Sequence, residues 1–99
     1  MTRTRKRAAI AEYRRLYEGL NSIILAWNPY GLYEAGELDD EFSHEVALVL
    51  ANLPHCETEE DVTKAIQVVF GESFSEHDFS LSACRSIGNT VYSWWSAQP

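Results

Sequence analysis

The stretch IAEYRRLYEGLNSIILAWNP, residues 10–29, decides the fold class of this chain. Its apolar side chains recur at intervals of three and four residues, the spacing that places one face of an α-helix against a core. The residue before a proline is disfavoured in the helical conformation, so Asn28, which precedes Pro29, is predicted to end this helix. The predicted buried stripe consists of Ile10, Tyr13, Leu16, Tyr17, Leu20, Ile23, Ile24 and Trp27.

A second helix is predicted from Asp39 or Asp40 to Pro54. An aspartate side chain can accept hydrogen bonds from the free N–H groups of a first helical turn, and acids suit the positive end of the helix dipole. The runs ALVL, residues 47–50, and IQVVF, residues 66–70, are also compatible with short strands, but both lie inside longer helical patterns. The predicted buried stripe of the second helix consists of Phe42, Val46, Val49, Leu50 and Leu53.

Two capping patterns predict a third and a fourth helix. Thr58, followed three residues later by Asp61, resembles a capping box and predicts a helix that continues to Gly71. Ser75 with Asp78 predicts the start of a fourth helix, which carries the chain almost to its end. The predicted stripes consist of Val62, Ala65, Ile66, Val69 and Phe70 in the third helix, and of Phe79, Ala83, Ile87, Val91 and one of Trp94 and Trp95 in the fourth.

These patterns together predict an all-α fold, a single-domain bundle of about four helices that spans residues 1–99. Within the fourth helix, Gly88 is expected to be either a weak point or a close-packing site. Trp94 and Trp95 are adjacent, and helical periodicity cannot place both rings on one face. Which of the two is buried therefore stays open.

Charge is distributed unevenly along the chain. Residues 1–15 hold six of the eight Lys and Arg residues against one acid, whereas the remainder holds fourteen acids against two basic residues, for a net charge of −7. Positive charge is unfavourable at a helix N-terminus, so residues 1–7 are predicted to form a flexible basic tail. The acidic body would repel nucleic acid and attract basic proteins, although an acidic surface also serves solubility alone.

Several classes of protein and site are disfavoured. No continuous apolar run approaches the roughly 18 residues of a membrane span, and the N-terminus lacks the apolar stretch of a secretory signal, so a cytoplasmic protein without membrane association is expected. Cys56 and Cys84 are read as reduced thiols, with Cys84 a buried structural residue. His55 is poorly placed to activate the adjacent Cys56, and the His and Cys spacing is not that of a zinc site. We therefore predict no enzymatic activity, metal or cofactor, and no direct nucleic-acid binding.

A loop of mixed aromatic and acidic composition is the candidate binding surface. It lies in the stretch AWNPYGLYEAGELDDEF, residues 26–42. Trp27 closes the apolar stripe and is predicted to be a core residue. Tyr30 and Tyr33 instead lie among carboxylates, the composition expected where a basic protein groove is to be filled.

The longer stretch AWNPYGLYEAGELDDEFSHEVALVLANLPHCETEEDV, residues 26–62, resembles a family of small helical bacterial immunity proteins. The resemblance consists of a W-D-P-[IY]-G motif, an acidic D-E-[YF] helix start and a later helix start with clustered acids, in the same order and spacing. The family includes immunity proteins of contact-dependent growth inhibition. Asn28 stands where the family usually has Asp, and Tyr30 where an aliphatic residue is common.

The resemblance implies that the chain binds the toxin domain of its own system, often a nuclease acting on tRNA or DNA, and covers its basic active-site groove. A helical adaptor or regulatory module that binds a non-toxin protein is the alternative. Two groups of residues are predicted to touch the partner. They are the aromatic–acidic segment, Tyr30, Tyr33, Glu34, Glu37, Asp39, Asp40 and Glu41, and the acidic edge, Glu57, Glu59, Glu60 and Asp61.

Overall fold

The computed structural model describes residues 3–29 and 41–99, and every helix and turn in those ranges agrees with an all-α fold. Both runs that were also compatible with strands are helical, and no described helix is long and apolar enough to cross a membrane. The all-α prediction is confirmed. The helices are α1 (Arg3–Trp27), α2 (Ser43–Asn52), α3 (Glu59–Ser73) and α4 (Leu81–Ser96), with a 3₁₀ turn (Leu53–His55) after α2.

The C-terminal end of α1 is where the sequence placed it. Asn28 has a φ of 47°, in the left-handed region that asparagine tolerates better than most residues. Its backbone N–H still donates to the Ile24 carbonyl at 2.9 Å, which closes the last turn. Trp27 packs edge-on against Phe70 and Phe79, with ring centroids 5.2 and 5.8 Å away. The predicted helix end is confirmed, and Trp27 packs against the core although it is only half-buried.

The N-terminal half of α1 differs from the prediction. Residues 6–15, hereafter the arm, are all exposed, and the first fully buried residue of the helix is Leu20. Ile10 is 59% exposed and Tyr13 is 52% exposed, so their predicted place in the core is wrong. Within residues 3–29 and 41–99, no other helix packs on these two side chains, although their spacing is that of a core face. The segment predicted to be a flexible tail is helical from Arg3 onward, and its flexibility stays a prediction.

Helix α2 buries its predicted stripe but begins later than expected. Its first residue is Ser43, and Phe42 precedes it as an N-cap without a side-chain hydrogen bond. The Phe42 carbonyl accepts the Val46 N–H at 2.8 Å while the ring is fully buried. Packing of Phe42 therefore sets the start of the helix; the predicted capping residues Asp39 and Asp40 lie outside the described residues.

Helix α3 has the predicted start and a later end. Thr58 Oγ1 accepts the Asp61 N–H at 3.1 Å, and the Asp61 carboxylate accepts the Thr58 N–H at 3.2 Å, so the capping box is present. Gly71, the predicted end, lies inside the helix. The helix continues because the Phe74 N–H donates to the Phe70 carbonyl and the two rings stack, with centroids 5.9 Å apart.

Helix α4 begins six residues after Ser75, at Leu81, and not at the predicted capping pair. Ser75 Oγ accepts the Asp78 N–H at 3.4 Å within a turn, and Ser80 is the N-cap that accepts the Ala83 N–H at 3.1 Å. Ala83 is exposed, which corrects its predicted burial, and Cys84 takes that place in the core. The two tryptophans are both half-buried.

The core lies where α3 packs on α4 and on α2, and the second half of α1 covers it by packing against α2 and α4. Gly88 of α4 is the point of closest approach, because a Cβ there would overlap the Thr63 side chain and lie 2.9 Å from the Thr63 Cα. The close-packing alternative for Gly88 is therefore confirmed. The buried apolar residues are Leu20, Ile24, Phe42, Val46, Val49, Leu50, Leu53, Val62, Ile66, Val69, Phe70, Phe79, Cys84, Ile87 and Val91.

Candidate partner-binding surface

The predicted contact residues fall at two separate places. Glu41 precedes α2, whereas the acidic edge lies beyond the C-terminal end of that helix. The ten residues of α2 separate the two places by about 15 Å along its axis. A partner that touches both must therefore span the length of α2. Outside the described residues lie Tyr30, Tyr33, Glu34, Glu37, Asp39 and Asp40.

The acidic edge is built on the first turn of α3. Glu57 and Glu60 are exposed, and Glu59 and Asp61 are partly covered. Carboxylates at a helix N-terminus are stabilised by the free N–H groups and by the helix dipole. The short 3₁₀ turn and the capping box hold the backbone of this edge in place. A rigid, negatively charged surface results.

The Asp61 carboxylate is engaged in hydrogen bonds within the protein. Its Oδ2 accepts the backbone N–H groups of Glu57 at 3.0 Å and Thr58 at 3.2 Å. These bonds lower the pKa of Asp61 below its ordinary value, and nearby Lys64 lowers it slightly further. Asp61 therefore shapes the edge and is a poor candidate for direct contact with a partner.

The charge of Asp61 should contribute to stability in a pH-dependent way. Because its folded-state pKa lies below the ordinary value of 3.8, this contribution is present above pH 3.8 and is lost as the pH falls through the folded-state pKa. We expect Asp61→Asn to destabilise the protein at neutral pH and the difference from wild type to shrink in acid. Urea unfolding across this range measures it. A difference that stays constant with pH would contradict the role of the charge.

The four carboxylates of the edge differ in their contacts: those of Asp61 and Glu59 accept hydrogen bonds within the protein, and those of Glu57 and Glu60 do not among the described residues. Glu59 Oε1 accepts the Asn89 side-chain amide at 3.0 Å, which ties the edge to α4. Glu57 and Glu60 have neither a hydrogen bond nor an ion pair to their carboxylates among the described residues. These two side chains are the ones that a basic partner could engage without breaking a contact within the fold.

Two grooves flank the acidic edge. One, of about 310 Å³, is lined by residues of α3, of the turn before it and of the end of α2, half of them polar, and it includes Cys56, Lys64 and Val68. The other, of about 440 Å³, lies between Glu59 and Arg85. Lys64 and Arg85, the only basic residues after residue 15, therefore border the edge. A partner would meet carboxylates between two cations. Its own charges must therefore match this order of positive and negative side chains.

Comparison with known proteins gives one match. A family model described as a domain of unknown function, DUF1871, matches residues 19–93. This chain belongs to the DUF1871 family. No curated protein and no solved structure matches it. In this DUF1871 protein the matched segment includes the acidic edge, and the arm lies before it.

The cysteines of the DUF1871 protein are not arranged as nucleophiles. Burial raises the pKa of the Cys84 thiol, and burial together with the Asp61 charge raises the pKa of the Cys56 thiol. A reactive cysteine needs a lowered pKa, because the thiolate is the nucleophile. No group of three or more potential metal ligands occurs in the described part of the chain. The absence of enzymatic activity stays a prediction.

The exposed arm is the feature that the sequence did not predict. Helix α1 has 25 residues, whereas α4, against which it packs, has 16. At a rise of about 1.5 Å per residue, α1 is about 13 Å longer than α4. A bundle helix that is longer than its neighbours must project beyond them. Because the sequence predicted α1 to begin after residue 7 and α4 to begin near Ser75, the two predicted helices were about equally long, and their lengths did not show that Ile10 and Tyr13 lie outside the core.

Proposed function

We propose that this DUF1871 protein is a cytoplasmic immunity protein, which binds the toxin domain of its own system by means of acidic side chains held on a rigid helical scaffold. The observation that carries the proposal is the pair of uncommitted carboxylates, Glu57 and Glu60, on a capped helix end. The toxin would be a nuclease whose basic groove ordinarily holds phosphate. Binding is stoichiometric, and the protein contributes no chemistry of its own.

Three features support the proposal. Residues after Arg15 carry fourteen acids against two basic residues, so the body attracts cationic surfaces. The edge is preorganised by the capping box and by the bond from Asn89 to Glu59, which lowers the entropic cost of binding. The sequence around Trp27 resembles that of helical immunity proteins. The negative charge alone would favour binding to any basic protein. The resemblance to immunity proteins is the reason for proposing a toxin as the partner.

The test is protection of a cell that expresses the adjacent open reading frame, combined with calorimetric binding to the purified product. The edge variant Glu57→Lys/Glu60→Lys should lose protection and bind at least about 100-fold more weakly, because two attractive charges become repulsive. The matched control is Glu72→Lys/Glu76→Lys. It changes the net charge equally at two exposed positions, Glu72 in the last turn of α3 and Glu76 in the turn that follows. This control should retain protection.

The aromatic–acidic segment is tested in the same assay. Charge reversal of Glu37, Asp39, Asp40 and Glu41 together should also abolish protection. Protection that survives both this variant and the edge variant would contradict the proposal. Should the neighbouring product be harmless and the edge capture another protein, the adaptor alternative would replace it.

A further inference from the structure

The arm is the largest feature of the molecule that the proposed function does not use. It is a helical segment of about 15 Å, and none of its residues is buried. Isolated helices of this length are marginal in water, because helix stability normally comes from a packed face. Ile10, Tyr13 and Arg14 nevertheless line one surface depression of about 330 Å³ together with half-buried Tyr17. An exposed apolar face on a helix is typical of a docking surface.

The arm also carries the positive charge of the chain. Arg7, Ile10 and Arg14 are spaced three and four residues apart, so they share one face of α1. Arg15 is different, since its guanidinium bonds to Glu12 at 2.6 Å and to Gln98 at 2.6 Å. Arg7 and Arg14 have no ion pair within the described residues. The docking face is therefore apolar and cationic.

The arm projects from the body in the direction in which the N-terminal end of α3, with the acidic edge, also points. Helices α1 and α4 run antiparallel, because Arg15 bonds to Gln98 and the Trp94 indole lies on Gly19. Asn89, in the middle of α4, bonds to Glu59 of the edge, so the edge lies about 13 Å behind Gln98 along α4. The arm continues past Gln98 in the opposite direction along the α4 axis from Asn89. Two copies that overlap about a twofold axis, so that each arm passes Gln98 of the other copy, would place each arm beside the edge of the other copy.

The acidic edge has the negative charge that complements the positive charge of the arm. Glu57 and Glu60 are exposed carboxylates without a partner among the described residues, and the adjoining groove contains Val68, which is 53% exposed. Pairing two arms with each other would instead juxtapose like charges, which is unfavourable. The complementary surface for the arm is thus the carboxylate pair Glu57 and Glu60 of a second copy, on which Arg7 and Arg14 dock between the bordering Lys64 and Arg85.

We propose that this DUF1871 protein forms a twofold dimer in which the arm of each copy docks on the acidic edge of the other. Arg7 and Arg14 face Glu57 and Glu60, and Ile10 with Tyr13 covers the end of the adjoining groove at Cys56. The contact is isologous, so both copies use the same two surfaces. The dimer hides the carboxylates that a basic partner would need, and a partner must displace an arm to bind. The dimer itself does not depend on the proposed function.

Sedimentation equilibrium of the full chain, without any partner, tests the dimer. Wild type should be dimeric in about 0.05 M salt and should dissociate in about 0.5 M salt, because exposed charge pairs are screened. The arm variant Arg7→Glu/Arg14→Glu and the edge variant Glu57→Lys/Glu60→Lys should each dimerise at least about tenfold more weakly. The double variant Ser82→Glu/Ala83→Glu adds negative charge at exposed positions of α4 and should remain dimeric.

Mixing the arm variant with the edge variant is the decisive measurement. In the heterodimer, the wild-type arm of the edge variant docks on the wild-type edge of the arm variant. At the other contact, a glutamate-bearing arm docks on a lysine-bearing edge, so the charges are exchanged but still opposite. Dimerisation should therefore return, although each variant alone is monomeric. A wild-type chain that stays monomeric in low salt would overturn the proposal, even if the arm were found to bind RNA or anionic vesicles. A dimer that persists in both variants, or a mixture that stays monomeric, would overturn it as well.

Discussion

Replacing Phe70 with alanine is expected to lower the free energy of unfolding by about 3–5 kcal/mol, the usual cost of removing a buried phenylalanine ring. The ring is fully buried and lies at the centre of an aromatic cluster. Its centroid is 5.2 Å from that of Trp27, 5.5 Å from Phe79 and 6.0 Å from Phe42. Removing it leaves a cavity where α1, α2 and α3 meet. Urea unfolding measures the loss.

Phe74→Ala is the matched control for Phe70→Ala. Phe74 contacts the same cluster but is 38% exposed, so its removal leaves an opening that water can fill. The expected cost is smaller, about 1–2 kcal/mol. Equal losses in the two variants would mean that burial does not set the energy of this cluster.

Gly88→Ala is expected to lower the free energy of unfolding by about 2 kcal/mol, within the range for overpacked cores. Alanine normally stabilises a helix relative to glycine, so the expected sign is opposite to the helix propensity. The reason is the contact with α3, since the new Cβ would lie 2.9 Å from the Thr63 Cα. Backbone cannot rotate away as a side chain can, and the helices must move apart. Thermal and urea unfolding measure the change.

Gly71→Ala separates the effect of crowding from that of helix propensity. Gly71 is also inside a helix and buried, but a Cβ there would be 3.5 Å from its nearest neighbour, the Glu76 backbone. We expect this variant to be as stable as wild type or more stable, by up to about 1 kcal/mol. Destabilisation of both variants by the same amount would refute the crowding argument.

The parts of the fold that could be predicted from sequence are those set by local chemistry. The capping box of Thr58 and Asp61 and the helix end at Asn28 need only neighbours within four residues. The failures come from tertiary contacts. Ser75 with Asp78 has the same spacing as the true capping box, yet burial of Phe79 in the aromatic cluster delays the helix to Leu81.

The same distinction applies to the candidate surface. The sequence predicted which residues of the edge are acidic and at a helix start, and the structure agrees. It could not show that Glu59 is held by Asn89, because the two are thirty residues apart. Nor could periodicity show that Ile10 and Tyr13 extend beyond the body, since their spacing is that of a core face.

The position of Cys56 has a practical consequence for following partner docking. Cys56 precedes Glu57 and is half-buried, whereas Cys84 is fully buried. A thiol-reactive fluorophore would therefore attach at Cys56, next to the acidic edge, and leave Cys84 unmodified. Because the pKa of the Cys56 thiol is raised, coupling would be faster at alkaline pH. A dye at this position reports directly on occupancy of the edge, by an arm or by a foreign protein, without any engineered attachment site.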